Sequence, residues 1–327
     1  MKRIFVCCAL MIFFGAYTSP KKPVAIIFDT DIAPDYDDVG AMALLHAFAD
    51  MGEAKILATI SCNAFETTVP TLSVLNTYFN RPEIPIGIVQ GHFPNKDCSQ
   101  QWAQAIIASY PHVITSNSMA TDAVTLYRKI LAAQPDNSVT IVSVGFFTNL
   151  ANLLGSSADT YSPLDGTTLV KKKVKKLVSM AARIGDDGKT GYEFNVMVDA
   201  AASKKVFANW PTQIVMSGFE IGEKILTGIP LIHNAAIQHS PVKDAFTVAL
   251  TKDNNTLGRN SWDETAVLVA VRGIEPWFNT RQLHFDVEAD GKNVLIPGDK
   301  ITYLGFKQTP ETIANTIEQL IMHQPVK

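Results

Sequence analysis

Cysteine is scarce in this chain, with four among 327 residues, and two of them, Cys7 and Cys8, fall inside an apolar N-terminal run. The remaining pair, Cys62 and Cys98, could close one disulfide in an oxidising compartment or stay as thiols. No CxxC pair or Cys/His spacing occurs and the histidines are scattered, so a zinc site has little support. Charge of one sign is also lacking. The formal net charge is -3, which gives no basis for a nucleic-acid partner. The one basic run, Lys171-Lys172-Lys173-Val174-Lys175-Lys176, reads as a solvated loop or sheet edge, with a phosphate-binding patch as the alternative. Long apolar runs are absent too, because Ile4 to Tyr17 falls short of the roughly 20 residues that span a bilayer. Repeats, low-complexity tracts and linkers are not found.

What is present at the N-terminus is a short basic stretch, Met1-Lys2-Arg3, followed by that apolar run. The pattern matches a secretory signal. The expected organisation is a signal peptide over residues 1–19, cut near Ala16 to Ser19, and one domain over 20–327. A buried N-terminal helix is the alternative. The first reading implies a secreted or periplasmic protein with no membrane attachment after cleavage. A composition of 47% hydrophobic and 18% charged residues suits a chain that buries roughly 75% of its unfolded surface.

Short β-branched runs alternate with longer helical segments. Val24 to Phe28, Ile56 to Ile60, Ile86 to Val89, Val139 to Val144, Leu177 to Ala181 and Ile214 to Met216 have the continuous apolar character of buried parallel strands. Val39 to Ala49, Val69 to Phe79, Gln101 to Ala108, Ala120 to Ala132 and Ala200 to Ala208 suit helices. The alternation implies an α/β fold, a doubly wound, mostly parallel sheet flanked by helices. Near the C-terminus, Gln282 to Val287, Val294 to Ile296 and Ile301 to Leu304 read as antiparallel strands, and Thr309 to Met322 as a closing helix. Ligands of such sheets bind beyond the carboxyl ends of the strands.

The first strand runs straight into Asp29-Thr30-Asp31-Ile32-Ala33-Pro34-Asp35-Tyr36-Asp37-Asp38, five aspartates in ten residues. Capping of the following helix accounts for Asp35 or Asp37. It does not account for Asp31, Asp37 and Asp38 together. Carboxylates ~4 Å apart repel by about 1 kcal/mol in water and about 4 at an effective dielectric of 20, so crowding three of them calls for a counter-charge or raised pKa values. An oxygen-only donor set selects a hard cation, Ca²⁺ or Mg²⁺, and calcium better tolerates many oxygens in flexible geometry.

Asp29-Thr30-Asp31 followed by Asp37-Asp38 resembles the DxDPGxDD fingerprint of the inosine–uridine-preferring nucleoside hydrolase family, with a loop two residues longer. Later segments match in order: Ser61-Cys62-Asn63, Val144-Gly145-Phe146-Phe147-Thr148-Asn149, Tyr192-Glu193-Phe194-Asn195 and Asn260-Ser261-Trp262-Asp263. The resemblance implies Ca²⁺ held by Asp31, Asp37, Asp38, Asp263 and the Val144 carbonyl, with Asp31 as general base toward the attacking water. It implies that Asn63, Glu193 and Asn195 contact ribose. Asp187 stands where the family has a further ribose-binding asparagine, and Trp262 where it often has histidine, which leaves Trp262 to stack on a nucleobase or pack in the core. Taken alone, Asn63 could equally be a turn residue, Glu193 and Asn195 part of a polar turn, and Asp263 a helix cap. Thr148 and Asn149 are expected to cap the helix that follows them.

The resemblance implies hydrolysis of the N-glycosidic bond of ribonucleosides, purine or pyrimidine, to ribose and free base, and a homo-oligomer. Two alternatives share the motif. One is an exported nucleoside- or sugar-binding protein without turnover. The other is a haloacid-dehalogenase-like phosphatase using Mg²⁺, with Asp29 as nucleophile and Asp31 as acid/base.

Overall fold

A computed structural model describes residues 22–91, 93–185 and 188–326. The expected signal peptide and Asp187 lie outside these residues.

Among the described residues, eleven strands form in the order β1 (Val24–Thr30), β2 (Ala54–Ser61), β3 (Ile86–Ile88), β4 (Thr121–Asp122), β5 (Val139–Ser143), β6 (Val174–Met180), β7 (Gln213–Ser217), β8 (Leu226–Thr227), β9 (Arg259–Asn260), β10 (Phe278–Val287) and β11 (Asn293–Phe306). Nine of them make one sheet, ordered β10-β11-β7-β6-β5-β1-β2-β3-β4, while β8 and β9 pair as a small antiparallel ribbon. All pairs in the large sheet are parallel except β10 with β11. The chain winds outward from β1 through β2, β3 and β4, then returns to β5 on the other side of β1. That reversal opens a crevice at the carboxyl ends of β1 and β5, the switch point at which doubly wound sheets bind ligands.

Both faces of the sheet are covered. Alternation along β1 sends Ile26 and Phe28 into one apolar layer and Ile27 into the other. The first layer includes the helices Asp37–Asp50, Trp262–Arg272 and Pro310–Ile321, and the second includes Thr148–Leu154 and Ala200–Asn209. Among the described residues, no helix is long and apolar enough to cross a membrane.

The structure corrects the sequence reading in several places. Val294 to Ile296 and Ile301 to Leu304 belong to one continuous strand, β11, which is antiparallel to β10 but parallel to β7. Pro297-Gly298 interrupts the apolar pattern without ending the strand, and the β10–β11 register shifts between Leu283 and His284. Thr121-Asp122, expected inside a helix, forms β4, and Asp122 then caps Ala123–Ala133 by accepting from the Thr125 N–H. The basic run is neither a loop nor an edge. Lys171, Lys172 and Lys173 complete the helix Gly166–Lys173, where positive charge complements the helix dipole, and Lys175 and Lys176 enter the interior strand β6. Cys62 and Cys98 are free, buried thiols.

Candidate active site

Beyond β1 the chain turns and enters the helix Asp37–Asp50 with Asp37 and Asp38 in its first turn. Tyr36 occupies the N-cap position and no side chain caps this helix. Nor does one cap Trp262–Arg272, which carries Asp263 and Glu264 in its first turn. Capping therefore fails as an explanation for Asp35, Asp37 and Asp263. Asp37, Asp38 and Asp263 are buried, and each brings one carboxylate oxygen within 4.8 Å of the other two. Asp31, Asp35, Val144, Met180, Glu193, Phe194, Asn195, Phe219 and Trp262 complete the lining of the same cavity, of about 110 Å³.

Close packing at the switch point brings Val144 to the aspartates. Register places Asp29 beside Ser143, and two residues on Gly145 meets Asp31. A Cβ there would lie 2.5 Å from the Asp31 nitrogen and 2.6 Å from Cys62 Sγ, so only glycine fits. The Val144 carbonyl accepts from Asn195 Nδ2 at 3.2 Å, and the Met180 carbonyl accepts from the same amide at 3.3 Å. Two residues expected to serve calcium and ribose are thus bonded to each other at the cavity wall.

Glu193 and Asn195 do not share an extended segment. Glu193 is the N-cap of a short helix, Phe194–Val198, and its carboxylate accepts from the N–H groups of Asn195, Val196 and Ala182 at 2.9–3.1 Å. Burial nonetheless pushes its pKa up to about 7, against the lowering effect of those donors. Asn63 is a correction of a different kind. It has no exposed surface and does not line the cavity. Its amide donates to the carbonyls of Asp31 (2.9 Å) and Lys96 (2.8 Å) and accepts from the Lys96 and Phe65 N–H groups. In this structure it holds Asp31 in place; it has no ribose-facing surface. Thr148 and Asn149 do not cap their helix either. Thr148 donates to Asp199 at 2.5 Å, and Asn149 donates to Asp29 and to the Ser61 carbonyl.

Trp262 donates its indole N–H to the Phe219 carbonyl at 2.9 Å, and the two rings stand 5.2 Å apart. What Trp262 has left to offer the cavity is its ring. No histidine lines the cavity among the described residues.

Several contributors were not singled out from the sequence. Arg259 donates to Asp37 Oδ1 through Nε (3.0 Å) and Nη2 (2.8 Å), and pairs with Asp35 at 2.5 Å. Glu264 is fully buried with neither carboxylate oxygen hydrogen-bonded. It occupies space left by Gly40, where a Cβ would fall 2.1 Å from its Oε1. Phe219, Phe194 and Met180 supply apolar wall. Phe194 lies inside the quoted Tyr192-Glu193-Phe194-Asn195 segment, and Arg259 and Glu264 flank the quoted Asn260-Ser261-Trp262-Asp263, yet neither segment shows what these side chains meet; Phe219 and Met180 enter through tertiary packing.

Electrostatically the cluster is unfinished. Burial, then the neighbouring carboxylates, push Asp31 and Asp263 well above the ordinary carboxylate range. Burial and Asp37 do the same to Asp38, although the Thr30 hydroxyl donates to its Oδ1. Asp38 Oδ2 has no partner at all. Buried charges persist when paired or when they coordinate metals, and Arg259 cannot neutralise this many acids. The donor set, all oxygen and strongly anionic, fits a hard divalent cation.

Asp29 behaves differently. Fully buried and away from the cavity, it accepts from the Tyr127 hydroxyl at 2.7 Å and Asn149 Nδ2 at 3.1 Å. A nucleophile must reach its substrate, so this placement removes the phosphatase alternative.

The sequence profile of the family described as "Inosine-uridine preferring nucleoside hydrolase" matches residues 26–317. Among curated proteins, a pyrimidine-specific ribonucleoside hydrolase of Escherichia coli O81 (strain ED1a) is 28% identical over 213 residues, which cover 61% of each chain. The counterpart from Klebsiella pneumoniae (strain 342) is 25% identical over 206 residues, 59% of this chain and 60% of that one. The chain thus spans about three fifths of the length of these curated relatives. Among solved structures, a purine-preferring ribonucleoside hydrolase from Gardnerella vaginalis superposes with a TM-score of 0.69 at 16% identity, covering 91% of this chain and 98% of its own. An inosine-uridine preferring nucleoside hydrolase from Bacillus anthracis gives 0.68 at 15% identity, with coverages of 91% and 99%.

Proposed function

The chain belongs to the inosine-uridine preferring nucleoside hydrolase family, and from that premise we propose that it hydrolyses the N-glycosidic bond of ribonucleosides. The observation that carries this reading is the convergence of Asp31, Asp37, Asp38, Val144 and Asp263, from three separate parts of the chain, on one cavity that also holds Glu193 and Asn195. Their chemistry supports calcium as the cation. When bound, the cation supplies charge stabilisation to a water and to vicinal ribose hydroxyls and makes that water more acidic.

The chain's own residues then do the following. The Asp31 carboxylate takes the proton from the attacking water as its oxygen closes on the anomeric carbon. Asn63, through its bond to the Asp31 carbonyl, fixes the segment that carries this carboxylate. Glu193, braced by three main-chain donors, and Asn195 turn the sugar toward it. Surrounding carboxylates favour the positive charge that develops on the ribose as the bond to the base breaks. Trp262 and Phe219 give the departing base ring faces to rest on. Export, read from residues 1–19, belongs to the same proposal.

Incubation of the calcium-loaded protein with a panel of purine and pyrimidine nucleosides, scored for reducing sugar, tests this. Ribose release from at least one is expected. The cavity lining offers no histidine to protonate the base and the Trp262 N–H is already engaged, which favours a second reading, binding without turnover. Tight binding across the panel with no free ribose would establish that reading instead.

A further inference from the structure

Arg259 stands on the β8–β9 ribbon, outside every matched motif, with its side chain 16% exposed. Its guanidinium pairs with Asp35 at 2.5 Å and with Asp37 at 2.8 Å, lies 4.9 Å from the Tyr36 ring centroid and 5.0 Å from that of Trp262. One side chain therefore holds three consecutive residues, 35 to 37, at the end of the loop that is two residues longer than the family pattern, and rests against the cavity wall. Asp37 is also one of the three carboxylates that converge as a cation site. A guanidinium and a divalent cation that share one buried carboxylate are like charges at short range, and in a buried site they repel strongly.

We infer that Arg259 is a positioning residue that acts as the resident counter-charge of Asp37, an inference that rests on the cation reading above. Without the cation, the guanidinium neutralises Asp37 and keeps the longer loop closed on the first helix. With it, the same positive charge weakens the grip of the site, so the affinity is set by a balance written into the chain. A simple clamp would have the opposite consequence. If Arg259 only shaped the site, its loss would loosen Asp37 and weaken cation binding.

The sign of the change in affinity separates the two. Full-length wild type, Arg259→Met, which preserves length and ring contact without charge, and Arg259→Lys, which keeps the charge, are each titrated with Ca²⁺ by calorimetry and melted in chelator. Arg259→Met is expected to melt lower in chelator yet bind Ca²⁺ at least tenfold more tightly. Arg259→Lys is expected to melt lower but bind within about threefold of wild type. Should Arg259→Met not fold, Arg259→Gln carries the same expectation. Unchanged or weaker binding by the neutral variant, with wild type still binding, would overturn the inference and leave Arg259 a clamp. A wild type that takes up no Ca²⁺ would overturn the cation reading itself.

Discussion

Asp29 and Asp38 occupy the same short stretch of chain, are both fully buried, and both have carboxyl pKa values raised by burial, Asp29 to about 7. They differ in company. The Asp29 carboxylate is met by Tyr127 and Asn149 and does not line the cavity. Asp38 meets one hydroxyl, keeps an oxygen without a partner, and faces a cavity shared with other acids. Native proteins satisfy nearly all buried polar groups, so an unsatisfied one calls for an explanation. Of these two carboxylates, the one whose oxygens are met belongs to the scaffold, and the one with an oxygen left over faces the cavity.

Substitution can break that contrast from either side. The largest effect is expected for Asp38→Asn, which keeps the shape and removes the charge. Ribose release should fall on the order of a thousandfold, as when a group stabilising the transition state is lost. Melting in chelator should nonetheless be unchanged or higher, because an uncompensated buried carboxylate has gone. For Asp29→Leu the pattern should invert. Stability measured by urea unfolding should drop by about 3 kcal/mol, since Tyr127 and Asn149 lose their acceptor, with little change in turnover per folded molecule.

Asn63→Ala falls between the two, because Asn63 has scaffold bonds but touches the backbone of Asp31, the proposed base. A loss of about 1–2 kcal/mol in stability is expected, together with a fall in kcat larger than any change in KM. A last effect, confined to acid and without consequence for turnover at neutral pH, concerns a group on the scaffold side. His46 is buried, bonded through Nε2 to Asn76 and stacked on Phe79, and burial lowers its pKa to about 3. The unfolded chain, titrating near 6.5, binds more protons than the folded one between those values, so stability is lost as pH falls below about 6.5, by at most about 1.4 kcal/mol per pH unit. His46→Leu should flatten that acid limb in urea midpoints measured from pH 7 to 4.

Much of this was legible in the sequence, for physical reasons. The parallel strands declare themselves because both faces of the sheet are covered, which demands continuous apolar runs. Asp31, Asp37 and Asp38 stand out because so many acids after a buried strand have no cheap use. Asp263 could be assigned only by resemblance, since nothing local distinguishes a helix-start aspartate from a ligand. The failures share a cause. Asn63 looked like a sugar contact because sequence shows residue type and not which groups surround it. Arg259 and Glu264 were passed over because their roles depend on partners more than two hundred residues away, Asp37 for one and Gly40 for the other. Strand β11 was split at Pro297-Gly298 because a register shift reads locally as a turn.

On the proposed reading, these converging acids act by holding a divalent cation. Its most direct test is ribose release from the nucleoside that the panel identifies, measured after exhaustive chelation and again on adding back Ca²⁺, for wild type and Asp38→Asn in parallel. Activity that disappears on chelation, returns with Ca²⁺ in wild type and does not return in the variant is the result expected. Ribose release that persists at full rate in metal-free protein would rule out a role for the cation.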